Sequence, residues 1–296
     1  MRTLTIDVQM ISESLRKRIA ALNRAHLRDT PSKSRRELKN RLATSREARR
    51  CLSIRDAVSG REMTCDGGCF LVVEPTLNDL IPDYDEAFTR HYLDAVCSID
   101  VDRLLEDEKT FSQSRSPEDL LYIDLETTGF TSGTPLFLAG VLLYENGNLV
   151  VRQLLARDYS EEPHVLNHLA ELIGRSQVFV SFNGKSYDLP FVRDRMIFHG
   201  IKSDLRKAHV DILHHARRQW GTELPNCKLQ TLERAICRRF RYGDIAGVEI
   251  PDAYHHFVRS QNVIQLRDIL HHNSLDLITM AELMIHLLKI QSTCQP

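Results

Sequence analysis

Two acidic residues at the end of an apolar run are the residues in this sequence whose types and spacing best suit chemistry. Asp124 and Glu126 stand two positions apart, directly after Leu120-Leu121-Tyr122-Ile123 and before Thr127-Thr128-Gly129. Successive side chains of a β-strand point to opposite faces, so both carboxylates share one face. Neighbouring carboxylates repel each other unless a cation lies between them. The pattern predicts a strand that ends in a divalent metal site, although many solvated surface pairs have the same spacing.

Two further acids lie at the ends of predicted elements. Asp188 follows Asn183-Gly184, a dipeptide typical of turns, and falls in the first turn of the next helix, where an acid also suits the helix dipole alone. Asp276 lies four residues after His272 in a long apolar-striped segment. On a helix this spacing puts both side chains on one face, so the imidazole can reach a water on a metal that Asp276 ligates. His271 has this role instead if the helix begins just after it.

Hydrophobic periodicity predicts the elements that must position these residues. Apolar runs at about 120–125, 136–144 and 149–155 are separated by turn-rich segments and predict an antiparallel meander. A helix at about 161–174, a strand at 177–181 and a helix at about 187–199 follow, with helical stretches to the C-terminus. This order predicts an α/β fold with a mixed five-stranded sheet flanked by helices, as in the ribonuclease H fold.

The charge distribution separates an N-terminal segment from the rest. The chain has a net charge of −1, yet residues 11–50 hold thirteen lysines or arginines and four acids. Ile11, Leu15, Ile19 and Leu22 recur at helical spacing, which predicts a basic helical arm over residues 1–50. Such an arm either docks by its apolar stripe or binds the phosphates of nucleic acid.

The remaining chain is expected to form two parts. Residues 51–117 predict an extension with a hairpin near 61–74 and helical segments, and residues 118–292 form the main domain. A polar, turn-rich segment at 112–117 marks the boundary between them.

Composition bounds the class of protein. The chain is 42% hydrophobic, lacks a run of eighteen apolar residues, and carries Arg2 and Asp7 where a signal peptide is apolar. Its seven cysteines are odd in number and show no paired spacing, which favours reduced thiols. We expect a cytoplasmic protein with no membrane partner.

Ordered blocks of the sequence resemble a known family, the YprB-type ribonuclease H-like domains within the DEDD superfamily of 3′–5′ exonucleases. The blocks are Tyr122–Gly140 (YIDLETTGFTSGTPLFLAG), Ser181–Phe191 (SFNGKSYDLPF), His209–Trp220 (HVDILHHARRQW) and His272–Leu283, which has a His-Asn-x-x-Asp core. The similarity covers about residues 65–290. Several blocks in the same order arise by chance far less often than any one of them.

The resemblance implies a ligand set for two divalent cations, Mg²⁺ or Mn²⁺, and no small-molecule cofactor. The implied ligands are Asp124, Glu126, Asp188 and Asp276. The fifth residue of that superfamily is a histidine five positions before the last acid or a tyrosine four before it, and this chain has histidine at both positions. The His-Asn-x-x-Asp match favours His272 as the general base, with His271 as the alternative. The role of Asp211, in the third block, stays open between structural and auxiliary.

The activity implied by the resemblance is metal-dependent 3′–5′ exonucleolytic hydrolysis of single-stranded DNA or RNA. In the reaction that the resemblance implies, the cations would lower the pKa of a bound water and His272 would accept its proton. We expect Thr127, Asn183 and Lys185 to contact the substrate strand, Lys185 through a phosphate. A structure-specific endonuclease and a nucleic-acid-binding module without turnover remain alternatives. The preferred sugar and any protein partners stay open.

Overall fold

The computed structural model describes residue 54 and residues 58–65, 67–82, 86–98, 101–105 and 115–293. They belong to one compact unit, Cys51–Pro296. The expected basic arm at residues 1–50 lies outside the described residues, as do residues 112–114 of the expected boundary segment at 112–117.

Seven strands of the described residues form one mixed sheet in the order β1-β2-β5-β4-β3-β6-β7. They are β1 Gly60–Cys65, β2 Gly68–Val73, β3 Leu120–Thr127, β4 Leu136–Glu145, β5 Asn148–Leu155, β6 Val178–Ser181 and β7 Ala208–Asp211. The antiparallel meander of β3, β4 and β5 is confirmed, and β6 and β7 add parallel strands beside β3.

The α/β class and the mixed sheet are confirmed, but the expected count of five strands is wrong. The β1–β2 hairpin, which was expected near residues 61–74, pairs with β5 and extends the same sheet. At the other edge β7 pairs in parallel with β6. This four-residue strand includes His209 and offers too short an apolar run to be recognised by periodicity.

Helices cover both faces of the sheet. They are α1 Leu77–Leu80, α2 Glu86–Ser98, α3 Glu162–Arg175, α4 Asp188–Phe198, α5 Ile212–Trp220, α6 Leu229–Ala235, α7 Ile250–Ser260 and α8 Ile264–Thr293. Short 3₁₀ turns lie at Val101–Leu104, Pro117–Asp119, Tyr159–Glu161 and Gly247–Glu249. None of the helices in the described ranges has both the length and the apolar character that crossing a bilayer requires.

Two apolar cores lie on opposite faces of the sheet, and strand alternation decides which one each β3 residue meets. Leu121 packs in the core that includes α3, α4 and α7. Tyr122 packs in the core that includes α2, α5 and much of α8. Because side chains two apart share a face, Asp124 and Glu126 continue the face of Tyr122 and point toward α8.

Candidate active site

The two acids of β3 lie in the sheet where three other acids act on them. Both are half-buried, and Leu125 between them is buried on the opposite face. Burial raises the pKa of Asp124 well above its ordinary value, and the charges of Asp276, Glu126 and Asp188 raise it further. Burial likewise raises the pKa of Glu126 to about 8, helped by Asp276 and Asp188 and opposed by His272. These two carboxylates therefore occupy a region of negative potential.

Asp188 is the first residue of α4, as the turn signal predicted. The preceding loop turns at Asn183, whose φ of 66° lies in the left-handed region. Asp188 is 6% exposed. Burial raises the pKa of Asp188 to about 7, and the charge of Asp211 contributes a smaller increase. Hydrogen bonds from the backbone groups of Asp188 itself and of Leu125 act in the opposite direction and lower it. The hydrogen bond to Leu125 ties the start of α4 to β3.

Helix α8 supplies the remaining acid and the histidine. Because α8 already begins at Ile264, residues 271–276 are regular helix and the two histidines differ in exposure. His272 is buried, and its Nε2 lies 3.5 Å from Oδ2 of Asp276, whereas His271 is exposed. Burial lowers the pKa of His272, but the hydrogen bond to Asp244 and the charges of Asp276 and Glu126 outweigh burial and raise it. His272 thus shares the acid cluster, and His271 faces away from it.

Asn273 fastens α8 to the sheet above Gly140. Its Nδ2 donates to Oδ2 of Asp124 at 2.7 Å and to the Asp124 carbonyl at 3.2 Å. Its Oδ1 accepts from Nε2 of Gln153 at 2.9 Å. Asp124, Gly140 and Gln153 are paired in register across β3, β4 and β5. A Cβ on Gly140 would lie 2.0 Å from Oδ1 of Asn273, so only glycine leaves room for this close approach.

Two residues that sequence analysis missed hold the acid and the histidine of α8. Nη2 of Arg241 lies 2.6 Å from Oδ1 of Asp276. Oδ1 of Asp244 lies 2.9 Å from Nδ1 of His272, and Nη1 of Arg241 donates to Oδ2 of Asp244 at 3.3 Å. Both lie in the segment between α6 and α7. Burial raises the pKa of Asp244. The hydrogen bond from His272 and the positive charges of His272 and Arg241 outweigh burial, so the pKa lies below its ordinary value.

The same segment is anchored by a second arginine. Arg239 donates to Glu233 of α6, and to Glu282 and Thr279 of α8, each at 2.6 Å. Arg241 also donates to Glu233 at 2.6 Å. Buried ion pairs of this kind are costly to break, because removing one partner leaves an uncompensated charge. The segment is therefore fixed to two helices at the point where it meets His272 and Asp276.

The residues expected to contact substrate have differing environments. Thr127 is buried, and its hydroxyl donates to the Gly129 carbonyl at 2.8 Å and lies 2.9 Å from the hydroxyl of Tyr187. The backbone N–H groups of Asn183 and Lys185 donate to the Asp211 carboxylate at 2.8 and 3.1 Å. Asn183 is exposed and Lys185 is half-buried.

Asp211 has a structural role in this loop. Its carboxylate accepts from the N–H of Leu213 at 3.2 Å and so caps α5, while it also holds the two backbone N–H groups of the loop before Asp188. Asp211 is 1% exposed. The loop that carries Asn183 and Lys185 is thereby fastened to the end of β7.

The residues fit divalent cations by their chemistry. Within the described residues no three His, Cys, Asp or Glu side chains already stand in a metal-binding arrangement. The donors available are carboxylate oxygens, which Mg²⁺ and Mn²⁺ prefer. Burial raises the pKa values of Asp124, Glu126 and Asp188, the charges of neighbouring acids raise them further, and a cation among them would relieve that repulsion.

Comparison with known families assigns the chain. A model of the ribonuclease H superfamily, RNase_H_2, matches residues 121–288, a range that includes the four acids and both histidines. The chain belongs to the ribonuclease H superfamily. It thus contains a ribonuclease H-like nuclease domain, whose fold agrees with the mixed sheet and flanking helices.

A similar protein from a bacterium supports this assignment. The chain is 33% identical over 178 residues to a protein of Bacillus subtilis (strain 168) described as uncharacterized protein YprB, a match over 58% of this chain and 42% of that protein. The YprB-type assignment of this ribonuclease H-like domain is confirmed. The chain spans less than half the length of YprB.

Among solved structures, the chain is similar to a family B DNA polymerase from the hyperthermophilic archaeon Pyrobaculum calidifontis. The match has a TM-score of 0.46 and 14% sequence identity, and it covers 58% of this chain and 25% of the polymerase.

Proposed function

We propose that this chain is a DEDD-type 3′–5′ exonuclease that hydrolyses phosphodiester bonds of single-stranded nucleic acid with the help of two divalent cations. Asp124, Glu126, Asp188 and Asp276 are the proposed cation ligands. His272 is the proposed general base. When bound, the cations supply the Lewis-acid chemistry that such hydrolysis needs.

One observation carries this proposal. Three buried or half-buried carboxylates lie on β3 and at the start of α4 with pKa values that burial and neighbouring acids raise, and α8 adds a fourth acid and a buried histidine whose charges act on the β3 pair. Burying carboxylates together is costly unless a cation compensates them. Ribonuclease H-superfamily membership over residues 121–288 gives the arrangement its nuclease context.

The chain's own residues have distinct parts in the proposed reaction. His272 accepts the proton of the attacking water at Nε2, the ring nitrogen that faces Asp276. Asp244 accepts a hydrogen bond from Nδ1–H, which fixes the tautomer that leaves Nε2 free to accept the proton. Arg241 holds Asp276 in place. The loop that carries Asn183 and Lys185 is proposed to contact the strand, and Thr127 to meet its last nucleotide.

A labelled single-stranded substrate tests the proposal. We expect purified protein with Mg²⁺ or Mn²⁺ to shorten a 5′-labelled oligonucleotide stepwise from its 3′ end and release nucleoside 5′-monophosphates. Parallel DNA and RNA strands report the sugar preference. Asp124→Asn is expected to abolish turnover, whereas Asp252→Asn, the same change at an exposed residue of α7, leaves it unchanged.

The alternatives give different results in the same assay. An exonuclease needs an end, so a covalently closed single-stranded circle should stay intact, and its cleavage would identify an endonuclease. Strand binding without any metal-dependent cleavage would identify a binding module. Undiminished turnover by folded Asp124→Asn protein would rule out the proposed ligand set.

A further inference from the structure

A cavity of about 580 Å³ lies beside the acid cluster, and the proposed reaction does not use it. Its walls come from the first turns of α8, from β5, from the Tyr242-Gly243 turn and from the end of β2. The volume is in the range of ordinary ligand pockets, which are about 300–1,000 Å³. The cavity is large enough for a nucleotide.

Two residues that line the cavity each carry a buried polar atom with no hydrogen-bond partner among the described residues: Oε1 of Gln153 and Oγ of Ser274. Each residue is 1% exposed. The orientation of the Gln153 amide follows from its contacts, because its Nε2 donates to the Leu270 carbonyl at 2.7 Å and to Asn273 at 2.9 Å. Oε1 is therefore a hydrogen-bond acceptor, and buried polar atoms are rarely left unpaired without a reason. A ligand with an N–H donor would satisfy it.

The rim of the cavity offers three further kinds of contact. Tyr242 is 93% exposed and presents an aromatic ring beside the opening. Arg267 and Asp268 are adjacent exposed residues of α8 that line the same opening, as does His271 one turn later. An aromatic ring stacks on a nucleobase, an arginine pairs with phosphate and a carboxylate accepts from ribose hydroxyls.

We propose that this cavity binds a nucleotide whose base carries an exocyclic amino group. The amino group donates to Oε1 of Gln153, with the Ser274 hydroxyl beside it, and the base stacks on Tyr242. Arg267 meets the phosphate and Asp268 the sugar. The adenine and cytosine edges match best, because each places an amino donor beside a ring-nitrogen acceptor that the Ser274 hydroxyl can satisfy.

The cavity is linked to the proposed active site by two short paths. Gln153 donates to Asn273, and Asn273 donates to Asp124. Tyr242 and Gly243 directly precede Asp244, which holds His272. The inference that the bound unit belongs to nuclease chemistry rests on the proposed function. Its source is either a nucleotide of the substrate strand or a free mononucleotide released by hydrolysis.

Direct binding tests the cavity without any need for turnover. The probe is adenosine 5′-monophosphate, titrated calorimetrically into the full chain in EDTA, with Asp124→Asn protein in parallel. We expect one saturable site per chain. Affinity should fall about tenfold or more in Tyr242→Ala and in Arg267→Ala, and stay unchanged in Arg259→Ala, an exposed arginine of α7 away from the cavity. The nucleotide analogue without the 6-amino group should bind about tenfold more weakly.

A second arm identifies the source of the nucleotide. If Tyr242→Ala and Arg267→Ala weaken the binding of an oligonucleotide as strongly as that of the mononucleotide, the cavity holds a nucleotide of the strand. If only the mononucleotide is affected, the site binds the free nucleotide.

The opposite results overturn the inference. Absence of mononucleotide binding at millimolar concentration would do so, as would binding that Tyr242→Ala and Arg267→Ala leave unchanged. Because the titrations contain no metal, loss of the proposed nuclease function would show only in the turnover assay. Failure of the cavity proposal would show only in binding.

Discussion

Replacing Gly140 with alanine tests whether the close approach of α8 to the sheet sets the geometry of the candidate site. The new Cβ would lie 2.0 Å from Oδ1 of Asn273 and 2.7 Å from its Cγ and Nδ2. Contacts this short do not occur, so Asn273 must move by roughly an ångström, which endangers its hydrogen bonds to Asp124 and Gln153. Overpacking costs about 1–3 kcal/mol and each lost hydrogen bond about 1 kcal/mol. We expect Gly140→Ala to lower the free energy of unfolding by about 3 kcal/mol.

We expect Gly140→Ala to lose more activity than its loss of folding stability accounts for. Asn273 lies between His272 and Asp276 in sequence and holds Asp124 directly, so its displacement moves several proposed catalytic groups together. A misplacement of about 1 Å can lower turnover about 100-fold. Urea unfolding and the labelled-oligonucleotide assay measure the two effects. Gly174→Ala is the matched control: it lies in α3, where the added Cβ has no atom within 4 Å apart from the neighbouring backbone of its own helix, and we expect it to stabilise by about 0.5–1 kcal/mol.

A double-mutant cycle decides whether the clash is with Asn273. If it is, Gly140→Ala should cost almost nothing further in an Asn273→Ala background, because the side chain that it strikes is gone. Equal costs in both backgrounds would refute this account of Gly140. Unchanged activity in folded Gly140→Ala protein would refute the link from Asn273 to Asp124.

Three other perturbations address single contacts. Asp244→Asn should lower kcat roughly 10- to 100-fold with little change in KM, since it acts through His272; a change in KM alone would contradict this role. His272→Ala should lose more activity than His271→Ala, and the reverse order would exchange their proposed roles. Burial raises the pKa of Glu162, but Arg195 and its other partners outweigh burial and lower it below the ordinary 4.5. The stabilisation that ionised Glu162 provides is therefore present above pH 4.5 and is lost as the pH falls through the lowered pKa. In urea unfolding, the free energy of unfolding should fall more steeply with acid for wild type than for Glu162→Gln. An equal fall in both proteins would refute this role of Glu162.

The parts of the site that sequence analysis recovered depend on local geometry. Strand alternation alone puts Asp124 and Glu126 on one face, and helical periodicity alone brings His272 and Asp276 together. Asn183-Gly184 likewise predicts a turn, because both residues tolerate turn conformations of the backbone. Each of these relations spans at most a few residues, so no knowledge of the tertiary fold is needed to find it.

The parts that it missed depend on tertiary placement. Arg241 and Asp244 lie in an irregular segment between two helices, where charged residues are usually solvated, and only the fold brings them to Asp276 and His272. The sequence shows a His-Asn pair before Asp276. The role of Asn273, however, depends on the absence of a side chain at Gly140 in β4, which the sequence around Asn273 does not reveal. The count of strands failed for the same reason, since the β1–β2 hairpin joins the sheet through a pairing with β5 that periodicity does not encode.

The distribution of charge shows which buried acids the chain's own arginines compensate and which would be compensated by a bound cation. Arg239 pairs with Glu233 and Glu282, and Arg241 pairs with Glu233, each at 2.6 Å, so these acids of α6 and α8 are compensated by the chain itself. Asp124 is perturbed by other acids and receives its hydrogen bond from the neutral Asn273. Buried charges are tolerated when they are paired or bind metal. The uncompensated negative charge therefore lies at the end of β3 and the start of α4, where the charge of Asp276 also acts, and this is where the proposed cations would bind.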